Sequence, residues 1–304
     1  MDLGSNTLRL LVARVDTGGT GGWQALNRGL ATPRLGQGLD PGGSLAPEAK
    51  EAARGAASLF VQKARDLGAR SIFLGATQAC RIAKDGPQFV EDLESDLGLA
   101  QARVLSALQE ARLARLGALS RLEGPTQGSL LADVGGGSTE LIALGRGDER
   151  MISLSLGAVS LTEALLAHDP PSQFELTALD QAVQKGLLGL DRVSGHRAAR
   201  LVATAGTAAT LASLRLGLEQ YQPERINNLR VGLAELEEES ARLSALPLED
   251  RRRVPGLEPE RADIILAGLA VLRGLLRYLS LDEITVMDAG LLEGILLDGL
   301  GKTA

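Results

Sequence analysis

Along the chain, short apolar runs of strand length alternate with longer stretches whose apolar residues recur at helical spacing. This alternation predicts an α/β fold. The run from Leu8 to Val15 reads as a strand, followed by a glycine-rich turn over Gly18 to Gly22. Pro47 opens a helix at its first turn, and Ala56, Leu59, Phe60, Ala64 and Leu67 form its apolar face. Then come a strand at Ser71 to Gly75, a helix near Gln88 to Leu97, a strand at Arg103 to Ser106 and a helix over Ala107 to Arg121. The stretch Glu123 to Gly128 (EGPTQG) is the most linker-like near mid-chain. It divides the chain into domains 1–124 and 125–304, and the final helix, near 290–300, is a candidate to pack back on the first domain. The second half predicts strands at Ser129 to Asp133, Thr139 to Leu144 and Met151 to Leu156, then a long helix from Pro171 to about Val193. A strand at Leu201 to Thr204, a helix at Thr207 to Leu216, a strand at Glu283 to Met287 and a last helix to about Leu300 complete the reading.

The same pattern contains an internal repeat. Residues 2–11, DLGSNTLRLL, align without gaps to residues 133–142, DVGGGSTELI, at an offset of 131. Each copy is Asp-x-Gly, then small or polar residues, then an apolar strand, so each predicts a β-hairpin with the acid near the end of its first strand. Glycine-rich backbone lets amide groups converge on an anion, and Ser5, Asn6, Thr7, Ser138 and Thr139 add side-chain donors. Asp2 and Asp133 would repel a bare phosphate, but they suit a site in which a cation or water lies between. Two such hairpins, one per domain, predict loops facing a shared phosphate-binding cleft.

Composition narrows the chemistry. The chain has 304 residues, one cysteine (Cys80) and two histidines (His168 and His196), which excludes a disulfide framework and a four-ligand Cys/His zinc site. Oxygen ligands remain, and they point to magnesium, calcium or manganese. Aromatic residues make up 2% of the chain, too few for base-stacking platforms, so no nucleic-acid partner is expected. Net charge is −6, so any polyanionic substrate must be held by local donors. No apolar run reaches membrane-spanning length; no membrane partner is expected, and the cytoplasm is the expected compartment.

At this point the hairpin motifs resemble the phosphate loops of the superfamily of acetate kinase, sugar kinases, heat-shock chaperones and actin. Within it the chain is similar to the exopolyphosphatase / guanosine pentaphosphate phosphohydrolase (Ppx/GppA) family. Further segments agree in order: PRLGQGLD (33–40), GATQACRIA (75–83), SALQEARL (106–113), TAGTAATLA (204–212), PGLEPERADIILAGLAVL (255–272) and DAGLLEG (288–294). The resemblance implies two ribonuclease-H-like (actin-like ATPase) domains facing a central cleft. It implies hydrolysis of a terminal phosphoanhydride in inorganic polyphosphate, with guanosine pentaphosphate as the alternative substrate. A non-catalytic polyphosphate or nucleotide sensor is the alternative of another class. A homodimer is left open.

The resemblance also distributes roles. Glu110 and Glu140 are the catalytic candidates, and which of them is the base stays open. Gly4, Ser5, Asn6, Thr7, Arg81, Gly135, Gly136, Gly137, Ser138, Gly206 and Thr207 are the phosphate-binding candidates. Asp133 and Glu140, with Asp2 as a further candidate, would hold Mg²⁺ or Mn²⁺. The chain departs from the family pattern at Gln109, where an acid is usual, and at Leu292, where an arginine is usual. Met1 directly precedes Asp2, where relatives have several more strand residues. Either the true start lies upstream, or Asp2 is held less firmly than Asp133. Cys80 is expected to be a buried small residue, and the two histidines are given no role.

Overall fold

The computed structural model describes residues 1–15, 23–145, 150–188, 190, 198–220 and 222–301. The expected turn over Gly18 to Gly22, the helix end near Val193, and His196 lie outside them. The chain forms two units: Met1–Gly117 joined by the segment from Leu291, and Ala118–Gly290 between them.

The first unit is built on a five-stranded sheet of order β3-β2-β1-β4-β5. Its strands are β1 (Asp2–Leu3), β2 (Leu8–Val15), β3 (Trp23–Ala31), β4 (Phe73–Ala76) and β5 (Gln101–Val104). The second unit carries a six-stranded sheet of order β10-β11-β9-β6-β7-β8. Its strands are β6 (Ser129–Val134), β7 (Thr139–Ala143), β8 (Met151–Leu154), β9 (Arg200–Thr204), β10 (Leu229–Gly232) and β11 (Glu283–Val286). The topologies match. Each sheet has a three-strand antiparallel meander whose first strand pairs in parallel with the next strand of the chain, β4 or β9. A further parallel neighbour follows in each, β5 or β11, and β10 adds an antiparallel edge to the second sheet. Both sheets are therefore mixed and ribonuclease-H-like, as the family resemblance implies.

The helices are α1 (Pro47–Asp66), α2 (Gln78–Ile82), α3 (Gly86–Leu97), α4 (Ala107–Leu119), α5 (Ala158–Leu165), α6 (Gln173–Leu187) and α7 (Ala205–Leu216). They continue with α8 (Pro223–Ile226), α9 (Leu233–Ser244), α10 (Leu248–Arg251), α11 (Ile265–Leu279) and α12 (Leu291–Gly299). One detail of the expected α1 face is corrected. Ala53, Ala57, Val61 and Ala64 are its buried residues, whereas Leu59 is 73% exposed. The small residues sit three or four apart on the side that meets the sheet, and Leu59 lies off that stripe. Helix α6 starts as its sequence dictates, with a reciprocal capping box between Ser172 and Glu175.

Helix α12 belongs to the first unit and is locked into it by close backbone approach. A Cβ on Gly294 would fall 1.9 Å from the Leu113 carbonyl oxygen of α4, and one on Gly75 of β4 would fall 2.7 Å from Ile295. Glu293 of α12 is fully buried and pairs with Arg28 of β3 at 2.8 Å. Strand β1 is short but held on both sides, Asp2 lying opposite Arg9 of β2 and Gly75 of β4. Beyond it a groove of about 680 Å³ opens between β2 and β4, lined by Leu11, Ala13, Ile72, Ile295 and their neighbours. In the second unit α11 is the central core helix, admitted by Gly268 against Thr207 of α7 and Gly274 against Val183 of α6. Among the described residues no helix is long and apolar enough to cross a membrane.

Candidate functional site

The two hairpins share one geometry. In the first, the Gly4 amide donates to the Thr7 carbonyl at 2.8 Å; in the second, the Gly135 amide donates to the Ser138 carbonyl at 2.9 Å. Asp2 faces Arg9 across β1/β2, and Asp133 faces Glu140 across β6/β7. These are the pairs related by the 131-residue offset, so the ungapped alignment is also a structural register.

The rest of each unit turns the loop carbonyls inward. Ser5 and Asn6 carbonyls accept from the Gly36 and Arg34 amides at 2.8 and 3.0 Å. In the second hairpin, Gly135 and Gly136 carbonyls accept from Ala158 and Val159, at the start of α5, at 2.9 and 2.8 Å. In a trans peptide the following N–H points opposite to its carbonyl. The amides of Asn6 and Thr7, and those of Gly136 and Gly137, are thereby aimed away from their supports, the arrangement an anion requires. The side-chain Nδ2 of Asn6 is a buried donor with no hydrogen-bond partner among the described residues. Gly157 is needed for this seat, since a Cβ there would fall 2.3 Å from the Gly136 carbonyl.

The hairpins differ in charge. Directly opposite residues share a face of the sheet, with Cβ atoms about 5 Å apart. The second hairpin therefore presents two carboxylates together, Asp133 and Glu140, while the first presents Asp2 with Arg9. Glu140 is buried, and its Oε1 accepts from Ser138 Oγ and Ser153 Oγ, both at 2.8 Å. Ser138, expected as a phosphate donor, thus directs its hydroxyl to the carboxylate. Among the described residues no three acids, cysteines or histidines gather as a metal cage. Magnesium commonly takes only one or two carboxylates and completes its shell with water and substrate oxygens. The Asp133–Glu140 pair fits that requirement. Burial raises the Asp2 carboxyl above its ordinary range, the Arg9 and N-terminal charges opposing the shift and Glu293 adding to it.

In the first unit, two expected site residues meet directly. Arg81, in α2, donates from Nη1 to Glu110 Oε2 at 2.8 Å and to the Leu105 carbonyl at 2.7 Å. Glu110 lies in the first turn of α4. Gln109, where the family pattern has an acid, has a local structural role. Its Oε1 accepts from the Ser106 amide at 2.9 Å, while its own amide donates to Ser106 Oγ at 3.3 Å. That is a capping box, so the residue before Glu110 anchors the helix start.

The third expected loop, TAGT, turns from β9 into α7 through Ala205, whose φ of +67 is unusual for a residue with a side chain. Thr207 is buried, and a Cβ on Gly206 would fall 1.7 Å from Arg261 Nη1. Arg261 therefore lies flat against the glycine, fixed from the other side by Glu258. Although the PERAD segment stands out in the sequence, its arginine has no evident place there. Its only signal is a lone arginine followed by small and acidic residues after Pro259. Asn227 was also missed; its Oδ1 accepts from the amides of Asp288 and Ala289 at 2.9 and 3.2 Å and so holds the DAG loop. Cys80 is buried, as expected, and burial pushes its thiol up to about 12. His168 serves the α6 cap through Glu175, at 3.0 Å.

Comparison with known proteins decides the family. The model of the Ppx/GppA phosphatase family matches residues 11–303. The chain belongs to the Ppx/GppA phosphatase family. Exopolyphosphatase 2 of Mycobacterium tuberculosis is 32% identical over 314 residues, covering 99% of this chain and 98% of that protein. The Aquifex aeolicus Ppx/GppA family member superposes with a TM-score of 0.81 at 26% identity, covering 98% of this chain and 95% of that one. An exopolyphosphatase from Cytophaga hutchinsonii superposes at 0.88 and 22% identity, over 99% and 96%, and supports the fold.

Proposed function

We propose that this member of the Ppx/GppA family is an exopolyphosphatase, which hydrolyses the terminal phosphoanhydride of inorganic polyphosphate and releases orthophosphate. The observation that carries this is the pair of hairpins in one register, each with its loop amides turned outward and only the second with two acids abreast. The full-length likeness to an exopolyphosphatase favours polyphosphate over guanosine pentaphosphate. Asp133 and Glu140 are the residues that would hold Mg²⁺ or Mn²⁺. Bound there, the ion offsets phosphate charge.

Water is the nucleophile. Its oxygen forms a bond to the terminal phosphorus as the bridging P–O bond breaks, and the shortened chain leaves with the bridging oxygen. Glu110 takes the proton of the water on its carboxylate, whose Oε2 is the oxygen bound to Arg81. The loop amides of Asn6, Thr7, Gly136 and Gly137 bind phosphate oxygens whose charge the reaction redistributes.

The test is orthophosphate release from long-chain polyphosphate, guanosine pentaphosphate and ATP, with Mg²⁺ and with chelator, alongside Glu110→Gln. Polyphosphate is expected to be the best substrate, and activity to disappear on chelation and fall by about 100-fold or more in the variant. Isothermal titration of Mg²⁺ should show a site lost in Asp133→Asn. Tight polyphosphate binding without turnover under saturating Mg²⁺ would replace this reading by a sensor.

A further inference from the structure

We infer that Arg81 is a positioning residue for Glu110, acting through Nη1. The inference rests on the hydrolase reading and sharpens it, because the family pattern placed this arginine on the substrate.

The guanidinium's own donors set the geometry. Nη1 carries two hydrogens, and two acceptors lie within bonding distance: the Leu105 carbonyl at 2.7 Å and Glu110 Oε2 at 2.8 Å. That nitrogen is saturated by protein. The Leu105 carbonyl is a firm anchor, since Leu105 is fully buried and its own amide donates to the Ala76 carbonyl at 2.8 Å, extending β5 along β4. Arg81 is itself held by its backbone amide, which donates to the Thr77 carbonyl at 3.0 Å. One guanidinium thus ties the end of α2, the end of β5 and the carboxylate on the first turn of α4 into a single unit. The Ser106–Gln109 capping box fixes the backbone of that turn. These bonds converge on the orientation of one carboxylate, whose side chain is 14% exposed. With Oε2 clamped, the direction of the whole carboxylate is set.

A phosphate ligand and a positioning residue respond differently to substitution. Arg81→Lys preserves the positive charge, but the ammonium ends about one bond short of Nη1 and cannot reach both acceptors. If Arg81 orients the base, kcat falls by about 10- to 100-fold while KM stays within about twofold. If it binds phosphate, KM rises and kcat is largely kept. The decisive comparison uses the Glu110→Gln background. There, binding of fluorescently labelled polyphosphate should be the same, within about twofold, whether or not Arg81→Lys is added. A loss of binding of about tenfold or more in the double variant would overturn the inference, as would a KM effect without a kcat effect in the single one. Full activity of Glu110→Gln alone would instead sink the assignment of the base. The two failures are thus distinct.

Discussion

Glu293→Ala should destabilise the first unit by an amount the structure allows one to bound. The carboxylate has no solvent exposure, and its partner Arg28, 2.8 Å away, is 20% exposed. Removing one member of a buried ion pair costs about 3–5 kcal/mol, because the remaining charge stays in a poorly solvating environment. Partial exposure of Arg28 lets water recover some of that. The loss of Glu293's repulsion toward Asp2, which contributes to raising the Asp2 carboxyl, offsets a little more. The expected cost is therefore at the low end, about 3 kcal/mol, in a molecule whose units have about 5–15 to lose. The assay is urea unfolding followed by tryptophan fluorescence. The chain has one tryptophan, Trp23, and it sits on β3 with Arg28, so the signal reports the first sheet. The midpoint should fall with the slope unchanged. Replacing both partners, Arg28→Met with Glu293→Met, should restore much of the loss, since two apolar side chains leave no stranded charge. A Glu293→Ala cost below about 0.5 kcal/mol, or a double variant no better than the sum of the singles, would refute this reasoning.

Two further outcomes can be checked. Gly206→Ala should push the Arg261 guanidinium off the TAGT turn, because the new methyl would occupy its place 1.7 Å away; KM for polyphosphate should rise while the fold persists, and an unchanged KM would show that the TAGT turn takes no part in binding. Glu175 is held well below the usual carboxylate range by the His168 side chain, then by the Ser172 and Ala167 amides and the Ser172 hydroxyl. A depressed folded value means the stabilisation is present above the ordinary value near 4.5 and fades as pH falls below it. The Tm difference between wild type and Glu175→Gln should therefore be constant near neutrality and shrink in acid; a difference independent of pH would contradict it.

Much of the architecture was legible because it is local. A hairpin's register depends on its turn and its two strands, so the offset of 131 residues carried over directly into paired positions. The burial of Cys80 was readable from residue type, since a free cysteine usually packs in a core. Strand β3 was not, because nearly all its residues are partly exposed and its polar positions blur the alternation that marks a strand. Strand β10 is four residues long at a sheet edge, too short to register as a periodic signal. At the site, Glu110 and Arg81 were each named, yet their direct bond was hidden by a separation of 29 residues along the chain. Arg261 was harder still. Its contact with Gly206 exists only because the turn before α11 lies against the start of α7, a packing relation that no local pattern encodes.

The position of α12 also bears on how the molecule is made. The second unit is one uninterrupted stretch, Ala118–Gly290, whereas the first needs a helix that begins only at Leu291. Emerging from a ribosome, the later unit can complete its core while the earlier sheet still lacks the helix that covers Gly75 and buries the Arg28 side of β3. Domains that close over such a distance fold last and expose apolar surface while they wait. A nascent chain stalled before Leu291 should thus hold a finished second half and an unfinished first, the reverse of the order in which the two were translated.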